Sequence, residues 1–579
     1  MRESLVGRAR ACARMSAVVL AGVQSVAALG QSLPSREQIE LPDSAATTMA
    51  PRVNVTDGTR QAGACPLSSS ALTAEIDEVV FSGPSGAALP AEIASLLNGI
   101  DPAQGARPVS QLCDLRDRAA ARLISAGYIS AVTIPPQEIT NETRSARLSV
   151  ILARLVGVEI VGESGGQAER VAARARRLTD IYPLRTADLE RELLLASDNP
   201  GLEVALNLAA APNGLPGEVI GQLSVARRNF QITANVNNLG SRALGREVGS
   251  IRAEAYGLTG LADVTFIGAS STLDFEEQWS VQGGHYFSLD GGLTFGGSLA
   301  YAESEPDIGL PVQTKSLLGA IEFYTPLVRT VAARAVLGGG LEIVDQDSVL
   351  SAGGVTVPVT RDKLRVAFAK LEGTHRRLNP DGTIAGVFSG SLQLRKGLDI
   401  FDTSRRGTPD GLYEPSRQEG DPEALVLRGG YSASMRWGSV ALSTQLQGQY
   451  SAEPLLAFEE FSVGNYTIGR GYDPSVTSGD SALGVRIQPN FLLSFGDTVV
   501  EPYSFVDAVR IWNEDNFTTE DGRTLASAGL GVRVYFANRF VLDAAYAHPF
   551  DKPLNLPGLD RAPDRILVSL TASFGPRAR

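Results

Sequence analysis

The chain has 579 residues, 20% of them charged, with 60 glycines and a formal net charge of −12. That length exceeds one ordinary domain. The negative balance argues against a nucleic-acid partner, which needs a positive surface against phosphates, and no apolar run reaches the roughly 18 residues that a membrane-spanning helix requires.

In chain order, Arg2, Arg8, Arg10 and Arg14 precede a short apolar core, Met15 to Ala28, and Ala28-Leu29-Gly30 offers small residues at a cleavage site. This predicts a secretory signal over residues 1–30, cut before Gln31. Cys12 leaves with the signal, so Cys65 and Cys113 remain as an even pair in an oxidising compartment. Such a pair permits a disulfide and leaves two separate thiols as the alternative. His285, His375 and His548 have no ligand spacing with one another or with the cysteines, so no metal site is expected. Residues 31–65 are polar, with Pro34, Pro42 and Pro51, and read as a linker. Ser35 to Leu41 is too short and irregular to define a helix.

From Leu72 the pattern is mixed. A strand at Ile76 to Phe81, helices at Ala91 to Leu97 and Leu112 to Ala126, and strands at Ala131 to Ile134 and Leu148 to Leu152 give the order β-α-α-β-β. The order recurs with a strand at Val156 to Val161, helices at Ala168 to Leu178 and Ala187 to Ala196, and strands at Val204 to Ala209 and Val219 to Val225. Two small domains of one topology therefore stand in series.

After about Asn229 strict alternation takes over, as far as Phe574. In Val440 to Tyr450, Val440, Leu442, Leu446 and Tyr450 oppose Ser443, Gln445, Gln447 and Gln449. One apolar face suits lipid or a soluble core alike. The other face, Gly, Ser, Gln and Arg, suits a wet lumen, and strands of about 10 residues match a tilted bilayer crossing. Sixteen candidate strands start between Phe230 and Asp564, the eighth near Leu364. An even number fits a closed single-chain barrel, and lipid cannot satisfy open edges. A soluble β-sandwich is the alternative, against which the secretion signal and the strand length both count.

The eleventh and twelfth strands are joined by about 30 residues, 451–480, ending in "GRGYDPSVTSGD", Gly469 to Asp480. A connection that long usually has a function. Here the sequence resembles the outer-membrane transporters of two-partner secretion, the TpsB branch of the Omp85 superfamily. "FSVGNYTIGRGYDP", Phe461 to Pro474, resembles the family's inward sixth loop with its Arg-Gly-Tyr core. "EPYSFVDAVRIW", Glu501 to Trp512, resembles its Phe-x-Asp-x-Gly strand: Phe505 and Asp507 match, and Val509 stands where Gly is expected. "AGYISAVTIPPQEI", Ala126 to Ile139, resembles the end of a first POTRA domain, and "VNNLGSRALGR", Val236 to Arg246, the first barrel turn, with Asn237 in place of Asp.

The resemblance implies a 16-stranded antiparallel transmembrane β-barrel preceded by two α+β POTRA domains. The expected limits are a periplasmic linker at 31–65, POTRA domains at 66–154 and 155–228, and the barrel at 229–575. It implies a secretion pore in the bacterial outer membrane, its POTRA domains in the periplasm, for an unfolded TpsA-like exoprotein of the adhesin or haemolysin type. Outer-membrane lipids and the barrel assembly machinery are the further partners, and no cofactor is implied. An Omp85-type insertase and a passive porin are the alternatives. Arg470, Gly471, Tyr472, Phe505 and Asp507 are implied as a lock between loop and wall, with the Arg470 guanidinium expected to grip Asp507 in a forked pair. A Cys65–Cys113 disulfide is implied, as is Phe574 as an assembly signal, although Gly575 to Arg579 follow it. "GDSAL", Gly479 to Leu483, resembles the block of lipolytic hydrolases, but His548 has no Asp three residues before it and no Gly-x-Ser-x-Gly elbow occurs. An enzyme is not expected.

Overall fold

The computed structural model describes residues 33–40, 55–57, 65–140, 142–161, 166–289, 292–352, 354–379, 383–515, 518 and 520–576. The expected signal, residues 1–30 with Cys12, and the end of the tail, 577–579, lie outside the described residues. The rest forms two compact units: the barrel together with residues 33–40, and the N-terminal domains with residues 55–57.

In the N-terminal unit, Glu78–Ser82 pairs in parallel with Ser145–Leu152, whose other edge takes Ser130–Thr133. Helices Ala91–Leu97 and Gln111–Ser125 cover the sheet, burying Ile93, Leu112, Leu115, Ala119 and Leu123 against Leu148 and Val150. Cys65 and Cys113 are joined in a disulfide with Cα atoms 5.9 Å apart. The second domain repeats the plan with Arg154–Val161, helices Gly166–Arg176 and Thr186–Ser197, and strands Leu202–Ala210 and Glu218–Arg227. The two domains meet in a tight joint. Ile129 N–H donates to Leu184, Leu184 N–H to Ala153, and Arg154 N–H to Gly217, at 2.8–3.2 Å. Gly217 has φ +93°, and a Cβ there would meet the Leu152 carbonyl oxygen at 2.5 Å.

The second unit is a closed antiparallel barrel, with sixteen strands among the described residues. They are Phe230–Asn237, Val248–Tyr256, Asp263–Thr272, Gln278–Ser288, Thr294–Ser304, Val312–Arg329, Ala333–Ala352, Val355–Leu378, Ile384–Gly397, Leu425–Trp437, Val440–Ser451, Ser481–Phe491 continued by Leu493–Phe495, Thr498–Trp512, Thr524–Phe536, Phe540–Pro549 and Arg565–Phe574. The first strand closes on the sixteenth, with Ile232 opposite Phe574 and Asn237 opposite Ser569. Leu442, Leu446, Tyr450, Ile487, Leu530, Ile566 and Leu570 are exposed on the outside, whereas Arg395, Gln449, Arg486, Gln488, Asp507 and Ser527 are buried within. Phe574 faces outward at the seam, its ring 6.1 Å from Phe540 edge-on.

Three expectations need correction. The eighth strand starts at Val355 rather than near Leu364, because the pairing continues past Pro358, which is absorbed at a register shift opposite Val349. The connection 451–480 is not structureless: it carries a turn at Ala457–Glu459 and a two-stranded ribbon, Phe461–Val463 with Thr477–Gly479. Residues 33–40, read as periplasmic linker, lie inside the barrel, where Arg36–Ile39 forms one helical turn. Gln38 Oε1 accepts the Ser35 N–H at 3.0 Å, one half of a capping box, the backbone of the turn closes on Ser35 and Arg36, and wall and loop add further bonds.

Candidate functional site

The tip of the inward loop sits on the twelfth, thirteenth and fourteenth strands. Asp507, 1% exposed, is the centre of the contact. Its Oδ2 accepts the backbone N–H of Arg470 at 2.9 Å and both Nε and Nη2 of Arg486 at 3.3 Å. Its Oδ1 accepts the Ser527 hydroxyl, and Ser527 Oγ in turn accepts the Gly471 N–H at 3.0 Å. Both N–H groups at the loop tip are thus addressed to one carboxylate, the first directly and the second through a hydroxyl.

The expected forked pair between Arg470 and Asp507 is therefore corrected. Arg486 lies directly opposite Asp507 in the strand register and already supplies its counter-charge. The Arg470 guanidinium passes beyond, donates to Gln488 Oε1 at 3.1 Å, and lies 4.5 Å from the Phe505 ring centre and 5.5 Å from that of Tyr503. A planar, weakly hydrated cation stacks well on aromatic faces. Those faces lie flat because the residues opposite are glycines. Gly529 faces Phe505 and Gly531 faces Tyr503, and a Cβ at either would meet the ring at 2.5–2.6 Å. Arg486, Ser527 and Gln488 were missed from sequence. Alternation puts Arg486 on the wet face, but only the cross-strand register puts it at Asp507.

Gly471 and Tyr472 finish the tip. A Cβ on Gly471 would lie 2.7 Å from Ser527 Cβ and 3.0 Å from Pro549 N. Tyr472 is fully buried, its hydroxyl donating to the Ala526 carbonyl at 2.9 Å and accepting the Asp551 N–H at 3.0 Å. Asp473 pairs with Arg246 at 3.2 Å and Arg565 at 3.1 Å, joining the tip to the first turn and the sixteenth strand. Asn237, standing where Asp was expected, accepts the Leu239 N–H at 2.9 Å and so shapes that turn. Val509, standing where Gly was expected, is buried with Ile468, Val463 and Tyr472. The residue opposite it on the twelfth strand is Gly484, where a Cβ would meet the Ile468 side chain at 2.9 Å.

The base of the loop is held by charge. Arg417, in the connection between the ninth and tenth strands, reaches Glu460 at 2.8 Å, Asp515 at 2.7 Å and the buried Asp480. Burial pushes the Glu460 carboxyl up to about 7, with Asp480 adding to the rise and Arg417 opposing it. Ser481, of the hydrolase-like block, exchanges hydrogen bonds with Ser451, while His548 Nδ1 lies 2.9 Å from Asp564. The hydroxyl thus links the eleventh and twelfth strands.

A second charge cluster joins loop, luminal helix and wall. Glu459 of the loop receives Arg395 at 2.6 Å and Arg428 at 2.9 Å, with Arg36 of the helix at 3.8 Å. Glu342 on the wall receives Arg36 at 2.7 Å and Arg395 at 2.6 Å. Gln278 and Ser280 donate to the carbonyls of Gln38 and Ile39, and Ser475 of the loop donates to Gln38 Oε1. The charges decide which piece leaves more easily. Without Arg36, two arginines face two glutamates. Without Glu459, three arginines face Glu342 and Glu40, which leaves one cation over, and unpaired buried charge is strongly penalised. The helix is the easier piece to remove.

Residues 222–534 match the family model described as haemolysin secretion/activation protein ShlB/FhaC/HecB. The chain is similar to the outer membrane transporter CdiB-2 of Burkholderia pseudomallei, 23% identical over 78% of this chain and 76% of that protein. It is also similar to the hemolysin transporter protein ShlB of Serratia marcescens, 25% identical over 57% of this chain and 58% of that one. Among solved structures, CdiB from Escherichia coli superposes with a TM-score of 0.65 at 16% identity, covering 98% of this chain and 99% of that one, a likeness of fold.

Proposed function

The chain belongs to the haemolysin secretion/activation family, outer-membrane transporters of two-partner secretion on the TpsB branch of the Omp85 superfamily, and on that premise we propose that it captures one unfolded exoprotein, of the adhesin or haemolysin type, through its POTRA domains and passes it through the barrel. The family is one of transporter channels rather than enzymes. The observation that carries the reading is a polar lumen stoppered by two pieces of the same chain, the helical turn at Arg36–Ile39 and the loop 451–480. A diffusion pore has no use for a loop tip addressed to one buried carboxylate.

In this reading residues 66–154 and 155–228 are the two periplasmic POTRA domains. An extended client adds as a strand to a sheet edge, where main-chain bonds tolerate varied sequences. Arg470, Gly471, Tyr472, Phe505 and Asp507 hold the loop in its resting place until the client arrives. The Cys65–Cys113 link staples the chain to the first domain. Phe574 is presented to the barrel assembly machinery, and the outer apolar belt meets lipid. No nucleotide-binding motif occurs in the sequence, so the client's folding outside, together with its capture inside, supplies the drive.

Deletion of the gene tests the reading. It should leave one large surface protein stranded in the periplasm, encoded beside this reading frame, and re-expression should restore its export. Loss of many barrel proteins at once would point to an insertase instead, and no stranded protein at all would refute secretion.

A further inference from the structure

The inner wall of the barrel pairs several of its charges within itself. Arg252 lies 2.9 Å from Glu254, Lys370 2.6 Å from Glu372, Arg486 3.3 Å from Asp507 and Arg533 2.8 Å from Asp543. Elsewhere the wet face is neutral, as where Ser432 stands opposite Gln445 and Ser434 opposite Ser443. Four arginines differ, and all four lie at the end of the barrel where the inward loop enters. Arg395 is near the end of the ninth strand and Arg428 near the start of the tenth. Arg246 is in the first turn, and Arg565 begins the sixteenth strand.

The counter-charges of these four come from the loop. Glu459 takes Arg395 and Arg428, and Asp473 takes Arg246 and Arg565. Among the described residues the one wall carboxylate within ion-pair distance of any of them is Glu342, beside Arg395. The wall's other contributions are uncharged: Gln449 Oε1 accepts from Arg428 at 2.8 Å and the Gly240 carbonyl from Arg565 at 3.3 Å. Arg395 and Arg565 are buried, where an uncompensated charge is strongly penalised. With loop and luminal helix both withdrawn, four arginines face Glu342 alone, an excess of three positive charges. In a narrow passage with low-dielectric walls such an excess focuses its field on whatever enters.

We propose that the conduit selects an acidic client: an unfolded segment rich in Asp and Glu takes Arg246, Arg395, Arg428 and Arg565 from Glu459 and Asp473, the loop's two carboxylates being stand-ins for the client's own. The proposal rests on the secretion reading above and names the substrate class. Exchanging one carboxylate for another keeps each guanidinium paired throughout, so the loop leaves its seat without stranding a buried charge. A basic segment meets like charge at the same place and is rejected. The neutral Ser and Gln of the remaining wall offer a passing chain no fixed ionic partner, so the segment is drawn in at one level of the barrel and slides through the rest.

Hydrogen exchange at the amides of Arg470 and Gly471 in the full-length transporter reads displacement of the loop. Oligo-glutamate should accelerate it by at least about fivefold, and oligo-lysine of the same length should leave it unchanged. Arg428→Gln with Arg565→Gln takes one arginine from each loop acid and should remove most of that acceleration, measured against the variant's own baseline. In planar bilayers, open events of the native chain under a potassium chloride gradient should prefer chloride over potassium by at least about threefold. The protein stranded by gene deletion should carry more Asp and Glu than Lys and Arg. No acceleration by oligo-glutamate, equal acceleration by oligo-lysine, a preference for potassium, or a stranded protein with a basic excess would each overturn the proposal while leaving the secretion reading intact. If deletion strands no protein, both fall together.

Discussion

Asp507→Asn is the sharpest perturbation of the loop lock. Arg470 N–H, Arg486 and the Ser527 hydroxyl converge on this carboxylate, which is 1% exposed. Asparagine removes the charge and turns one acceptor into a donor that faces the same donors. Breaking a buried ion pair by removing one partner costs about 3–5 kcal/mol. Arg486 keeps the Thr467 carbonyl at 3.1 Å and Gln445 at 3.2 Å, so the low end, about 3 kcal/mol, is expected here. At about 1.4 kcal/mol per tenfold, that raises the undocked population by roughly 150-fold. Hydrogen exchange at the amides of Arg470 and Gly471 reads this directly, since both are bonded only while the tip is docked. Arg470→Ala is the informative comparison. It leaves the backbone N–H on Asp507 and also removes a desolvated cation whose only side-chain hydrogen-bond acceptor among the described residues is the neutral Gln488, so the two effects offset and protection should fall less than about tenfold. If Arg470→Ala loosens the tip as much as Asp507→Asn does, the guanidinium holds the loop and the argument from backbone bonds is wrong.

Other consequences are equally direct. Gly471→Ala should push the tip off Ser527 and Pro549, costing about 1–3 kcal/mol as overpacking does, and accelerate exchange at Tyr472 without unfolding the barrel, as heat-modifiable gel mobility will show. Glu460 binds its proton more tightly in the docked loop than its ordinary carboxyl range allows. Docking should therefore be strongest below about pH 4.5, weaken as pH rises toward about 7, and level off above; Glu460→Gln should abolish that dependence of loop exchange between pH 5 and 8. Arg36→Ala leaves Arg395 and Arg428 balanced by Glu342 and Glu459, so it should raise single-channel conductance in planar bilayers with little loss of thermal stability, whereas Glu459→Gln should lower stability measurably. Cys113→Ser opens a disulfide spanning 48 residues and should cost the first domain about 2–4 kcal/mol in denaturant unfolding.

The barrel was legible because alternation is a property of each strand taken alone. Leu442 and Gln445 declare their faces without reference to any neighbour, and the sixteen starts follow from that. The elements that escaped are those whose structure is lent by something distant. Arg36–Ile39 is helical for one turn because Gln278, Ser280 and Glu342 hold it, and four residues carry no readable period. Val55–Asp57 is a strand only because Leu202–Ala210 offers an edge. The lock shows the same limit more finely. Its loop and its aspartate could be identified by resemblance, but the partner of that aspartate depends on which residue the twelfth strand sets opposite, and one sequence does not print a register. Arg486 and Arg470 look equivalent until Asp507 is paired.

The facing of Gly484 and Val509 bears on how chains of this kind are found. What Ile468 needs is a hollow one methyl group deep on the barrel's inner surface, and here Gly484, opposite Val509, leaves it. The signature is therefore written across two staves rather than along one, and a search for glycine at a fixed place after aspartate will pass over proteins that carry the vacancy next door. Swapping the two side chains should move the dent by one strand spacing, about 4.8 Å, and so measure how far the loop can follow it.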